Sequence, residues 1–221
     1  MTNPHTYSEF GFPGLAGESR PTAIYDTMLY TVFQQPREAG GAGTVIALSS
    51  ANRGEGVTYI TRSLVRELGR SDFMSVAGIN VRFLRKLHEP TLDALRKSLS
   101  GSGSISRGNV ADDGAPSSSV AKTERHGPWE GSWQYRKDCI NLLRSEFDHT
   151  ILDCPSLKES GDLLSVAPFV DGVILVIEAN RTRREQLWHA EQSISAAKGK
   201  LLGYILNKRT YDVPKWLYRI L

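Results

Sequence analysis

Cysteine is scarce, with two residues in a chain of 221. A disulfide framework of this size would carry more, so a reducing compartment is expected. Long apolar runs are missing too. The longest, GVILVI at Gly172–Ile177, has the length of a strand and falls far short of the ~20 residues that cross a bilayer. Charge of one sign is not in excess. Lys and Arg number 27 against 24 Asp and Glu, a net charge of +3, and this small surplus is spread along the chain. It gives no footprint of nucleic-acid or membrane binding. The five His have no metal-ligand spacing to Cys or carboxylates, so no structural zinc is expected. The opening MTNPHTYSEFGFPGLAGESRP lacks the charged-then-apolar order of a secretory signal. These absences predict a cytoplasmic protein that needs a partner for any membrane association.

What is present is a globular composition, 40% hydrophobic and 23% charged, suited to one ordinary domain. Met1–Pro21 reads as a flexible lead. Residues 22–221 read as the domain. Within it Thr22–Gln35 has helical spacing, and Ser98–Val120, rich in Ser and Gly, reads as a mobile insertion. TVIALSS at Thr44–Ser50 is a near-continuous apolar strand, the kind buried on both faces of a parallel sheet. A helix with Ile60, Leu64, Val65 and Leu68 on one face follows it, and Asp72–Val81 is a second strand. HTILDC, DGVILVIEA and KLLGYILN read as three more buried strands. Helical patterns lie at Trp133–Phe147 and Arg183–Ala197, and VPKWLYRIL ends the chain as an amphipathic short helix. Parallel strands need crossover helices, so this alternation predicts an α/β, doubly wound, mostly parallel sheet.

The turn after the first strand is the most informative stretch. It runs A-N-R-G-E-G-V-T from Ala51 to Thr58. A phosphate-binding loop has G-x-x-x-x-G-K-[ST] at this place. Its glycines let backbone N–H groups curl around phosphate oxygens, its lysine meets the β- and γ-phosphates, and its hydroxyl binds magnesium. Gly56 and Thr58 stand in the matching places, and Gly54 adds a flexible point. Val57 occupies the lysine position and Ala51 replaces the first glycine. By itself GEGVT is equally a tight turn between a strand and a helix.

The order TVIALSSANRGEGVT, FDHTILDCPS, SVAPFVDGVILVIEANRTRREQ and LLGYILNK resembles the cytoplasmic kinase domain of bacterial tyrosine kinases. These belong to the ParA/MinD-like branch of P-loop ATPases and work in capsule and exopolysaccharide export. The resemblance covers Thr44–Lys208 apart from the insertion and is strongest over Phe147–Lys208. It implies a P-loop NTPase-like single domain. Asp153 matches the Walker B aspartate that holds the magnesium shell, and Thr58 the direct magnesium ligand. Gly54, Glu55 and Gly56 match the loop backbone. Asn207 matches a position that faces the adenine base. Several charges of the family are missing. Besides Val57, the Asp-Ala-Asp motif (Walker A′) falls on Gly78-Ile79-Asn80. The N-terminal Glu-x-x-Arg-x-x-Arg self-association motif falls on Ala23, Asp26 and Leu29. The tyrosine-rich tail shrinks to Tyr211 and Tyr218, the candidate phosphoacceptors, although Tyr218 beside Trp216 and Leu217 equally packs a last helix.

A charge-assisted hydrogen bond contributes ~1.5–3 kcal/mol. Lys-to-Val should thus weaken triphosphate binding about 10- to 150-fold. Loss of one preorganised donor slows phosphoryl transfer about 100- to 1,000-fold. The expectation is a degenerate, pseudokinase-like nucleotide site in an accessory or regulator of polysaccharide synthesis and export. It requires no cofactor and holds ATP or ADP with magnesium only weakly. Its remnant site is Arg53, Gly54, Glu55, Gly56, Thr58, Asp153 and Asn207, with Thr58 and Asp153 taking the metal if nucleotide binds. The resemblance implies a partner, the cytosolic end of a membrane polysaccharide co-polymerase, and through it a peripheral place at the inner membrane. An active ATPase or tyrosine kinase is the alternative, with Asp153 catalytic and Arg53, in the place of the family's proline, reaching a phosphate. A MinD/ParA-like positioning switch is another, disfavoured because Asn52 stands where an early loop lysine belongs. Arg181, Arg183 and Arg184 read as a solvated face or a docking surface. Cys154 reads as a small buried residue. Trp129 and Trp133 read as anchors for the return from the insertion.

Overall fold

The computed structural model describes residues 42–69, 74–86, 90–91, 93, 110–111, 129 and 132–208. The expected lead, the Thr22–Gln35 helix, most of the insertion, the terminal helix, Tyr211 and Tyr218 lie outside the described residues.

In chain order the elements are β1 (Thr44–Ser50), α1 (Val57–Leu68), β2 (Val76–Asn80), α2 (Val81–Lys86), β3 (Val110–Ala111), α3 (Trp133–Glu146), β4 (His149–Asp153), α4 (Asp162–Val166), β5 (Gly172–Glu178), α5 (Arg184–Ala196) and β6 (Leu201–Asn207). The six strands form one sheet in the order β3-β2-β4-β1-β5-β6. Every pairing is parallel. This is the doubly wound sheet that the alternation requires. Of the Ser98–Val120 stretch, Val110–Ala111 are described, and they pair with Gly78–Ile79 at the sheet edge. Nothing in the apolar pattern foreshadows so short a strand. Among the described residues no helix is long and apolar enough to cross a membrane.

The core has two layers because β1 is apolar on both faces. Ile46 and Leu48 face α1, joining Ile60, Leu64, Val65 and Leu68 in one cluster. Val45 and Ala47 face the other way, into a cluster with Cys139, Ile140 and Leu143 of α3, Leu163 and Val166 of α4 and Ile194 of α5. Full burial of one such Leu or Ile contributes ~1.5–3 kcal/mol. The amino-terminal edge of the sheet is tied by Asp171, whose Oδ2 accepts from the Val45 N–H at 2.7 Å and from Arg144 at 2.6 Å. At the carboxyl edge Leu48 and Asn80 both stand in register with Asp153. β1, β2 and β4 therefore end side by side, and the sheet runs outward from β1 in both directions. Ligands of open α/β sheets bind at such a point, outside the carboxyl ends of the strands.

Candidate functional site

The segment joining β1 to α1 turns on two glycines with positive φ, Gly54 at 84° and Gly56 at 97°. Gly56 is the N-cap of α1 and supplies no side-chain cap, so the first N–H groups of the helix face the space above the sheet. A side chain at Gly56 would collide with the Asn207 amide. Asn207, at the end of β6 and 5% exposed, donates Nδ2–H to the Glu55 carbonyl at 2.9 Å. It thus holds the loop from behind. The family resemblance matches it to a position that faces a base; here its amide is bonded to the loop and its Oδ1 accepts from the Lys208 N–H at 2.9 Å.

Glu55 is 1% exposed and points into the protein. Its carboxylate accepts from the Asn52 N–H at 3.1 Å, from Asn52 Nδ2 at 3.0 Å and from the Thr182 hydroxyl. Thr182 in turn accepts from the Glu178 N–H at 2.9 Å. Asn52 also donates to Gln186 of α5 at 3.1 Å. Lys208 reaches over from β6, donating to the Gly54 carbonyl and to Glu178 at 3.2 Å. The loop is clamped to the start of α5 and the end of β6 through partners more than 120 residues away in sequence, which local patterns do not reveal.

In front of the loop lies a cleft of ≈ 290 Å³. The loop from Arg53 to Tyr59 makes one wall, Asn80 and Arg82 a second, and Asp153 to Ser156 with Glu159 a third. Thr58 donates its hydroxyl to Asp153 Oδ2 at 2.7 Å. The two expected metal-binding oxygens are thus adjacent, as a hard cation with oxygen ligands requires. Arg53 is exposed on the loop wall. Val57 is 9% exposed and packs with Ile46, Leu48 and Ile60, so the lysine position is an apolar floor. Asn80 brings an amide to the place of a carboxylate, and its Oδ1 accepts from the Arg82 N–H at 2.9 Å. The residues fit a magnesium–nucleotide in part. Thr58 and Asp153 would hold the ion and the loop N–H groups the phosphates, without the lysine or the Asp-Ala-Asp carboxylates.

Arg82, Ser156 and Glu159 also line the cleft, and sequence reasoning missed them; an Arg two residues beyond a strand end was the one available signal. Arg181, Arg183 and Arg184 are exposed and outside the cleft, with Arg181 paired to Glu178 at 3.1 Å. Cys154 is 1% exposed; burial, then the Asp153 and Asp162 charges, push its thiol pKa well above normal, so it is no nucleophile. Trp129 is 3% exposed and anchors its segment, with its carbonyl accepting from Arg136 at 2.7 Å. Trp133 lies on the surface, stacked on Phe169 at 6.3 Å.

No family model matches the chain. It is 25% identical over 187 residues to the tyrosine-protein kinase CpsD of Streptococcus agalactiae, covering 80% of each protein. It is 29% identical over 182 residues to the succinoglycan biosynthesis transport protein ExoP of Rhizobium meliloti, covering 77% of this chain and 23% of ExoP. The chain is related to the bacterial tyrosine kinases. Among solved structures, the VpsO kinase domain superposes with a TM-score of 0.55 at 22% identity, covering 86% of this chain and 93% of that one. The septum site-determining protein MinD of Pyrococcus horikoshii, solved with Mg-ADP, superposes with a TM-score of 0.51 at 17% identity, covering 80% and 76%. The chain therefore has a P-loop ATPase-like fold. Its cleft stands at the sheet edge where that fold places a phosphate loop.

Proposed function

We propose that the chain is a catalytically degenerate, tyrosine-kinase-like P-loop protein, an accessory or regulator of exopolysaccharide, capsule or adhesive-glycan synthesis and export. The observation that carries this reading is the set of residues in the charged positions of the site. Val57 is packed into the core, Gly78 has no side chain, and Asn80 supplies an amide beside Asp153. The loop geometry stays, so magnesium–ATP or magnesium–ADP is held weakly and not turned over efficiently. The Lys-to-Val change alone weakens binding about 10- to 150-fold. Its partner is the cytosolic end of a membrane polysaccharide co-polymerase, reached from the cytoplasm. Support for that partner is the match to part of a longer protein named for succinoglycan transport.

The test is phosphate transfer and ATP hydrolysis by the purified chain, with Asp153→Ala alongside. Turnover at background in both proteins is the expected result. In cells, deletion of the gene should lower glycan export and the Asp153→Ala form should restore it. Brisk magnesium-dependent turnover abolished by Asp153→Ala overturns the reading and leaves the working enzyme, for which the 2.7 Å contact of Thr58 and Asp153 speaks.

A further inference from the structure

Two groups in the cleft are not explained by the loop. The first is Arg82. It opens α2 directly after β2, with its N–H bonded to Asn80. Its guanidinium meets Glu159 at 2.9 Å and approaches Asp162 at 3.9 Å. The second is Ser156, 4% exposed, on the wall that Glu159 shares. Its Oγ has no hydrogen-bond partner among the described residues. Buried hydroxyls are rarely left so, and the residue that carries this one lines a cleft.

The ion pair that holds Arg82 is weak. Its side chains are 50% and 33% exposed, and pairs in water contribute little. A phosphate offers the same guanidinium two parallel charge-assisted hydrogen bonds. Asp162 does not depend on Arg82, since Arg85 pairs with it at 3.2 Å and the Ser160 hydroxyl donates to it at 2.8 Å. Release of Arg82 into the cleft therefore leaves only Glu159, which is partly in water, without its partner.

We propose that Arg82 is the phosphate-binding cation of this cleft, taking over from the lysine absent at Val57, with Glu159 holding it at rest and Ser156 Oγ donating to the same phosphate. The assignment rests on the reading that the cleft takes a nucleoside polyphosphate, and it names the residue that grips it. Arg53, the other arginine of the lining, sits on the loop wall with no partner orienting it among the bonds described. Arg82 follows two residues after Asn80, which stands in register with Asp153, and lines the same cleft as the loop. A polyphosphate between these walls is held from both sides. Charge reaches it from β2–α2 instead of from the loop, which allows binding without the lysine contact of phosphoryl transfer.

The test is calorimetric titration of the full chain with magnesium–ADP and, separately, magnesium–pyrophosphate. Arg82→Ala should weaken both ligands about tenfold or more. Arg82→Lys should recover part of the loss, because an ammonium makes no paired contact. Glu159→Gln should tighten both by removing the competing carboxylate, and Ser156→Ala should weaken them severalfold. Urea midpoints close to the parent for Arg82→Ala and Glu159→Gln separate binding from folding. Unchanged affinity in Arg82→Ala, with a parent that binds, overturns the assignment and spares the nucleotide reading. So does weaker binding by Glu159→Gln. If the parent binds neither ligand at millimolar concentration, both the assignment and the nucleotide part of the proposed function fall.

Discussion

The loop wall of the cleft is held from behind by hydrogen bonds to the buried Glu55 and Asn207, whereas the β2–α2 wall is held by ion pairs open to water. Glu55 and Asn207 are 1% and 5% exposed. Arg82 and Glu159 are 50% and 33% exposed. Polar groups bonded in the interior are expensive to disturb, because each loss strands a partner. Exposed pairs exchange partners at little cost. The loop's shape is therefore held without a charged side chain at position 57. Val57 can stand in the loop while Glu55, Thr182 and Asn207 keep the turn in place. The opposite wall is the one free to change what it binds.

The largest expected effect comes from breaking the clamp. Glu55→Ala removes the acceptor of three hydrogen bonds at once and leaves the half-buried Asn52 and Thr182 donors without it. A loss of about 2–4 kcal/mol is expected from stranded donors of this kind. The urea unfolding midpoint measures it, and a shift no larger than that of an exposed-site variant would show that the clamp is not what holds the loop. Next is Val57→Lys, which puts a charge on the loop wall. Affinity for magnesium–ATP should rise about 10- to 150-fold, read by titration. Turnover should stay near background until Gly78→Asp and Asn80→Asp are added, because residues acting as a unit are not additive. Turnover gained by the lysine alone would show that the loop wall by itself limits activity.

Legibility in the sequence follows the same division. β1 and β5 carry near-continuous apolar runs buried on both faces, and such runs announce themselves. Thr58 and Asp153 were legible because each belongs to a local motif, and the sheet then brings them to 2.7 Å. Asn207 was found and its partner was not, since the Glu55 carbonyl lies 152 residues away. Arg82, Ser156 and Glu159 carry no local pattern. They share a wall only because β2 and β4 are neighbours, with Asn80 and Asp153 in register. β3 is two residues long, below the length at which any period can be read.

A smaller loss, about 1–2 kcal/mol, is expected for Asn207→Ala, which strands one buried carbonyl at Glu55. Asn207→Asp should not rescue it, because a carboxylate cannot donate to that carbonyl. Rescue by Asp would mean that the side chain acts by its shape and not by its hydrogen bond. Urea midpoints distinguish these outcomes.

The smallest effect is expected where the cleft has the most charge. Arg82→Ala breaks contacts to Glu159 and Asp162, yet the change in stability should stay under about 1 kcal/mol, since the pair is solvated and Asp162 keeps Arg85. Raising salt from low to near-molar concentration should change the parent's midpoint by no more than this variant does, because screening acts on the same exposed pairs. Glu55→Ala should respond to salt as the parent does, its loss lying in hydrogen bonds to neutral donors. A large destabilisation by Arg82→Ala would make the β2–α2 wall as rigid as the loop wall. Arg82 would then be a strut of the fold, and the contrast between a fixed wall and an adaptable one would fail.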